Sequence, residues 1–389
     1  MTAFRRHRGR TVLAALGVAA ATLAAAACTA DDSETAAPTT LTRTMDEAVR
    51  AGFPGIQVVI DGPKGHRTLS AGVGDLGTGA PIPEHSQVRI GSNTKTFVAT
   101  VLMQLVAEGK VQLDAPVETY LPGVITGNGN DGNRITVRQL LQHTSGLPEY
   151  LIVGDPGYAP DPNSPRVEPG SEQARLVHYT PAELVRSALT LPPQFEPGAK
   201  SVYTNTNYIL LGMLIERVTG RTYIDEIQTR ILTPLGLRDT YSPGSRETGI
   251  RGPHPRGYHE IDGKRVDYTE MDVSWADAAG DMIATPADLN TFFKALLDGK
   301  LVPAAQLAEM KKTVPFDRMP GDDYGLALIR HTTSCGTEVW GHGGSIMGFG
   351  TRNSVAPDGT AVVVTVNQLQ GTEESSKIVQ QVLDAALCE

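Results

Sequence analysis

Val88-Arg89-Ile90-Gly91-Ser92-Asn93-Thr94-Lys95-Thr96-Phe97 is the stretch from which the rest of the chain can be ordered. A strand-like Val88-Arg89-Ile90 runs into a glycine, and apolar residues then recur at helical spacing (Phe97, Val98, Val101, Leu102, Leu105, Val106) as far as Gly109. Ser92 therefore falls at a strand-to-helix junction, where free N–H groups and the positive end of a helix dipole gather. Lys95, three residues on, lies on the same helix face and within reach of the Ser92 hydroxyl. A lysine desolvated there can lose its proton near neutral pH and accept the serine proton. The spacing alone is weak: seventeen serines and ten lysines in 389 residues give about 0.4 chance matches to S-x-x-K.

Working outward, Ile56-Gln57-Val58-Val59-Ile60 and Arg67 to Ala71 predict two strands, with Asp61-Gly62-Pro63 as the turn, after a short amphipathic helix over Met45 to Ala51. Near the other end Val339-Trp340, Asn353-Ser354-Val355 and Ala361 to Val366 read as strands, the last two joined by a turn at Asp358-Gly359. Between them the spacing predicts helices over 137–142, 181–189, 208–218 and 223–232. Thr285-Pro286 supplies an N-cap and first turn for another over 289–297. Strands at both ends with helices between predict an α+β fold whose two sheet parts meet in space, with an inserted, mostly helical region. Residues 153–172, rich in Pro, Gly and Asp, read as a long loop near the cleft or on the surface.

The formal charge is −9, and −13 once the four arginines of the first ten residues are set aside. So acidic a chain has no footprint for a polyanion, and nucleic acid is excluded as a partner. Gly72-Val73-Gly74-Asp75-Leu76-Gly77 fits GxGxxG, but Thr78-Gly79-Ala80-Pro81 cannot continue as a helix, so the segment reads as a hairpin turn. The nine histidines show no ligand spacing on one helix face, so neither a metal nor another cofactor is expected. The absence of G-x-S-x-G weighs against an α/β-hydrolase.

Residues 1–28 read as an export signal: arginines at 5, 6, 8 and 10, then an uncharged, alanine-rich stretch too short to span a bilayer. Ala25-Ala26-Ala27-Cys28 resembles a lipobox, so Cys28 is a candidate lipid anchor and residues 29–44 a flexible tether. Lipoprotein and freely secreted product both stay open. With Cys28 set aside, Cys335 and Cys388 remain as a pair in an oxidising compartment, and a disulfide between them is predicted. It would staple a last helix (Ile378, Val379, Val382, Leu383, Ala386, Leu387) to a preceding strand.

Ser92-x-x-Lys95, Tyr203-Thr204-Asn205 and His342-Gly343-Gly344, in that order, resemble the three motifs of the class C β-lactamase and serine D-alanyl-D-alanine carboxypeptidase family. Leu140 to Leu147, Glu196-Pro197-Gly198, Thr233 to Leu237 and Val273-Ser274-Trp275-Ala276 add to the likeness, which runs from about residue 45 to 388 and is nearest to the exported actinobacterial D,D-carboxypeptidase/transpeptidase type. The resemblance implies a β-lactamase/transpeptidase-like fold: an antiparallel sheet (about 45–90 and 280–389) flanked by helices, with a helical part over about 91–279. It also implies an exported serine hydrolase that acts, as a monomer, on peptidoglycan peptides or β-lactams. Ser92 would be the acylated nucleophile. Lys95 and Tyr203 would share the proton work, and Tyr203 acts as a base only beside cations such as Lys95 and a protonated His342. Asn205 would bind Lys95 and a substrate carbonyl. His342 would face the nucleophile across the cleft, with Gly343 and Gly344 admitting the substrate backbone. The N–H groups of Ser92 and Ser345 would form the oxyanion hole, and Trp275 a cleft wall.

Two departures bear on substrate. Gly343 stands where relatives carry Thr or Ser, whose hydroxyl helps hold a substrate carboxylate. Where such relatives place an arginine, this chain has Ile329, with Arg330 one residue later and so directed to the opposite strand face. The acylation residues are untouched, so an esterase or amidase on the same scaffold is the alternative to a carboxypeptidase or β-lactamase. A non-catalytic cell-wall or β-lactam sensor has no need of a nucleophile with two proton carriers.

Overall fold

A computed structural model describes residues 39–152, 167–244, 246–369 and 371–389. The expected leader, Cys28, the tether as far as residue 38 and residues 153–166 of the long loop lie outside the described residues.

The strands are β1 (Gly55–Gly62), β2 (Gly65–Gly72), β3 (Val88–Arg89), β4 (Ile283–Ala284), β5 (Val314–Pro315) and β6 (Asp323–Tyr324), then β7 (Ile329–Thr332), β8 (Glu338–Ile346), β9 (Phe349–Val355) and β10 (Ala361–Val366). Eight of them form one antiparallel sheet in the order β2-β1-β10-β9-β8-β7-β6-β5. The two ends of the chain meet at β1 and β10, where Ile56 pairs with Val366 and Ile60 with Val362. The α+β expectation therefore holds. β3 and β4 pair apart from this sheet, and two short ribbons lie at 126–131 and 258–267.

The helices that position the site are α1 (Thr40–Arg50), α2 (Thr94–Ala107), α3 (Val137–Leu141), α4 (Pro181–Leu189) and α5 (Thr206–Thr219), then α6 (Tyr223–Ile227), α7 (Pro286–Leu297) and α8 (Glu373–Cys388). Val362, Val364 and Val366 of β10 bury against α1 and α8, while Ala361 and Val363 face the core that holds α7. Both faces of β10 are covered, which is why its sequence is an unbroken apolar run rather than an alternation.

Two local readings change. α1 begins at Thr40, with Thr39 as its cap, so residues 40–44 are helix rather than tether; Leu41, Met45 and Ala48 form its buried stripe, which the intervening threonines hid in the sequence. The Gly72–Gly77 segment is a closed turn, with Asp75 Oδ1 accepting from the Gly77 N–H at 2.7 Å. It joins no hairpin, because β3 pairs with β4 and not with β2. The hairpin is β1–β2, turning between Gly62 and Gly65.

Candidate active site

Ser92 lies in a short 3₁₀ turn, Gly91–Asn93, between β3 and α2. Gly91 has φ +50°, and a Cβ there would sit 3.0 Å from Ser345 N, so the turn needs glycine for conformation and for space. Asn93 pins the turn to the sheet by donating to Ile90 O at 3.0 Å and to Thr351 Oγ1 on β9 at 2.6 Å. α2 is apolar on nearly every side and runs through the core, which carries Lys95 into a fully buried position.

Lys95 Nζ stands 3.0 Å from Ser92 Oγ, 2.8 Å from Asn205 Oδ1 and 2.7 Å from Ala279 O. Burial holds its pKa well below the ordinary lysine range; Glu149 pulls it back up and Arg318 pushes it further down. A neutral amine has two N–H donors, which Asn205 and Ala279 can accept, and one lone pair, which is left for the Ser92 hydroxyl proton. Ala279 is brought there by the β3–β4 pairing and by the Ile90 N–H bond to Met282 O at 3.0 Å.

Tyr203 and Asn205 enter from the loop before α5, which is tied to the 143–149 segment. Val202 N donates to His143 O at 2.9 Å, and Asn205 donates through its backbone N (2.6 Å) and Nδ2 (3.1 Å) to Glu149 Oε2. His143 holds φ +59° and lays its ring 4.0 Å from that of Tyr203. The Tyr203 hydroxyl lies beside the Ser92 side chain, near enough to be made more acidic by it but outside hydrogen-bond geometry. Burial raises its pKa and outweighs the lowering by Ser92, Arg318 and Arg352. The resting tyrosine is therefore a phenol and not a phenolate.

His342 lines the cleft that also holds Ser92, but its bonding and charge depart from expectation. It is buried on β8, and its Nε2 is 3.0 Å from the Tyr324 hydroxyl, not engaged with the nucleophile. Burial lowers its pKa to about 3, so the ring is neutral and cannot supply the positive charge expected of it beside Tyr203. The cations that act on that phenol are Arg318, with Cζ 4.5 Å from the ring centroid, and Arg352, while the buried Lys95 amine lies 4.9 Å from it.

The two glycines after it also work differently. A Cβ on Gly344 would lie 1.9 Å from Ile90 O and 3.0 Å from Ser92 N, so this glycine lets β8 pack on the nucleophile turn while it also lines the cleft. A Cβ on Gly343 would lie 2.3 Å from Arg352 Nη1, so an arginine side chain fills the space over it. Substrate backbone has another approach: β7 pairs with β8 only as far as Gly341, which leaves the edge of β8 from His342 onward open on that side. The close packing brings the Ser92 turn against β8, and Ser92 and Ser345 both line the same cleft. Ser345 is exposed there, and Trp275 forms part of the wall of a cleft of about 910 Å³.

Glu149, Arg318, Arg352 and the Ala279 carbonyl escaped the sequence reading. Glu149 stands two residues beyond the Leu140 to Leu147 segment singled out there, and Arg352 is the one charge inside the strand Phe349 to Val355; both were visible signals. Ile329 packs with Tyr203 and Tyr324, while Arg330 pairs with Asp323 and Glu338 and takes no part in the cleft. Cys335, in the β7–β8 turn, is joined to Cys388 at the end of α8.

A serine whose hydroxyl meets a buried amine, next to a phenol on the wall of a cleft, defines a serine hydrolase working by acyl transfer. The chain belongs to the Beta-lactamase family, whose model matches residues 41–387. It is similar to penicillin-binding protein 4 of Amycolatopsis lactamdurans, 27% identical over 74% of this chain and 69% of that one. Among solved structures it is similar to a D-stereospecific amidohydrolase from Streptomyces sp., with 39% identity, TM-score 0.80, and 90% of this chain and 98% of that one covered. It also resembles the D-amino acid amidase of Ochrobactrum anthropi SV3, with 28% identity, TM-score 0.72, and 89% and 97% covered. The chain spans about two thirds of the length of the curated penicillin-binding relatives it matches (64%, 69% and 68%).

Proposed function

We propose that the protein hydrolyses amide bonds of D-configured amino-acyl substrates through a Ser92 acyl-enzyme. The observation that carries this reading is the buried Lys95 amine 3.0 Å from Ser92 Oγ, with two other acceptors for its own protons. Neutral Lys95 takes the serine proton as Oγ attacks the carbonyl carbon, and the oxyanion forms between the Ser92 and Ser345 N–H groups. Each such donor is worth roughly 3–4 kcal/mol in a transition state. Collapse breaks the C–N bond. The Tyr203 phenol gives its proton to the departing amine and is reprotonated from Lys95. Water then attacks the ester by the reverse proton route, releasing the acid and restoring Ser92. The D-configuration is supported by the likeness to the Streptomyces amidohydrolase, 39% identical over 90% of this chain.

The second reading is a D-alanyl-D-alanine carboxypeptidase of penicillin-binding type, favoured by the guanidinium of Arg352 in the cleft. An exported setting, as a secreted protein or a lipoprotein, belongs to the same proposal and is supported by the disulfide.

Intact-mass spectrometry over time after exposure to benzylpenicillin, a p-nitrophenyl ester and a D-amino-acid amide tests the reading. A single adduct on the wild type, none on Ser92→Ala, and multiple turnovers of the amide are expected. No adduct with any of the three and no amide turnover would sink it. D-alanine release from N-acyl-D-Ala-D-Ala, measured beside amide turnover, separates the two readings, and the lifetime of the penicillin adduct separates a β-lactamase from a penicillin target.

A further inference from the structure

We propose that Arg318, on the loop between β5 and β6, is a positioning residue that supplies the positive charge facing Tyr203 while that phenol gives its proton to the departing amine. The inference rests on the acyl-transfer reading and deepens it by naming the group that supports the general acid.

The loop is built around Tyr203. Its own backbone closes it, with Phe316 N donating to Asp322 O and Asp322 N to Met319 O, both at 3.0 Å. Asp317 Oδ2 accepts from the Tyr203 N–H at 3.3 Å, and the Phe316 ring lies 5.9 Å from that of Tyr203, in one cluster with Tyr324 and Ile329. Arg318 lays its guanidinium over the Tyr203 ring, Cζ 4.5 Å from the centroid, on the wall of the cleft. Among the described residues no ion pair engages Arg318, whereas Arg138, Arg230 and Arg330 are each held by two acids. Its charge is left for the ring.

A buried phenol that releases a proton becomes a buried anion, which is costly unless a cation is at hand. In the resting site burial keeps Lys95, His143 and His342 neutral and holds Tyr208 and Tyr324 as phenols. Lys95 becomes a cation only on taking the serine proton, which it then returns to Tyr203; Arg318 is charged throughout. Burial raises the Tyr203 pKa most, Glu149 adds to that, and Arg318 lowers it more strongly than Arg352 does. Arg352 has its Nη2 committed to the sulfur of Met319 at 2.7 Å. Arg318 thus fills the part that the sequence gave to a protonated His342.

The test uses two pairs of substrates that differ in how far the leaving atom needs a proton. The amine of D-phenylalanine p-methoxyanilide is basic and departs only as it is protonated; that of D-phenylalanine p-nitroanilide is electron-poor and needs the proton less. The second pair, read as acylation rates by intact mass, is the uncharged benzylpenicillin methyl ester, whose lactam nitrogen needs the proton, and p-nitrophenyl acetate, whose nitrophenolate does not. Arg318 is exposed, so its variants leave the core intact. In Arg318→Gln the proton-dependent member of each pair should lose about tenfold in kcat/KM or acylation rate relative to its partner, a ratio from which general losses cancel. Arg318→Lys, which keeps the charge, should stay near wild type. A selective loss in either pair, rescued by lysine, sustains the proposal. Both ratios unchanged in R318Q, or R318K as poor as R318Q, overturn it. Wild type that turns over neither anilide and acylates with neither lactam nor ester would defeat the underlying acyl-transfer reading, a distinct result.

Discussion

Glu149 Oε2 accepts both nitrogen donors of Asn205, at 2.6 and 3.1 Å, and so turns the remaining Asn205 oxygen onto Lys95. Glu149 acts through Asn205 and through its charge, which raises the Lys95 pKa against burial. The acylation reading needs neutral Lys95, so kcat/KM rises with pH through that pKa. Glu149→Gln removes the charge and moves the acidic limb to lower pH, and a weaker grip on Asn205 lowers kcat about tenfold. A pH–rate profile of E149Q that overlays the wild type would show that Glu149 plays no such part.

His331 sits between two carboxylates, Nδ1 2.7 Å from Asp322 and Nε2 3.0 Å from Asp384 of α8. Burial alone would lower its pKa, but hydrogen bonds to both acids bring it up to about 9. The ordinary value is about 6.5. The folded value is the higher one, so this contribution is fully present below about pH 6.5 and fades as pH rises through about 9. Discounted for partial exposure of the ring, it is worth about 1–2 kcal/mol. His331→Asn should therefore weaken the fold more at pH 6 than at pH 10 in urea titrations. Equal losses at both values would contradict the assignment.

The Cys335–Cys388 bridge closes a span of 53 residues. In the chain-entropy account such a loop stabilises by about 4 kcal/mol, and engineered or reduced cases often show less. Reduction, or a double Cys→Ala change, should shift the denaturation midpoint by about 2–4 kcal/mol while initial amide hydrolysis at 25 °C survives, because Ser92, Lys95 and Tyr203 are held by other elements. An unmoved midpoint would refute this.

The adjacent glycines of β8 separate two kinds of crowding. Gly344→Ala drives a methyl into backbone at Ile90 O and should destabilise by about 1–3 kcal/mol and slow acylation, since the strand must lift from the Ser92 turn. Gly343→Ala meets the end of a long flexible side chain, Arg352, and should be smaller in stability. Thermal melts that rank G343A below G344A would reverse the argument.

Local patterns carried much of this molecule into view. The 181–189 helix appears with those bounds because Thr180, Pro181 and Glu183 supply a capping box with proline at its start. Ala361 to Val366 appears as a strand with the bounds read from its β-branched run. Asp358-Gly359 turns the β9–β10 hairpin, with Gly359 at φ +85°. α1 was legible only in part, because alternating threonines masked the stripe that tertiary burial of Leu41 exposes.

What the sequence by itself determined is what neighbouring residues settle between themselves: strand and helix identity, caps and turns, and the one-turn spacing that puts Lys95 on the face of Ser92. Tertiary structure decided the rest. Whether Lys95 is desolvated, whether His342 is charged, which acid orients Asn205 and which arginine covers Gly343 depend on groups brought together from distant parts of the chain. Solvation and cross-strand register are properties of the packed whole, because the cost of a buried charge is set by everything around it.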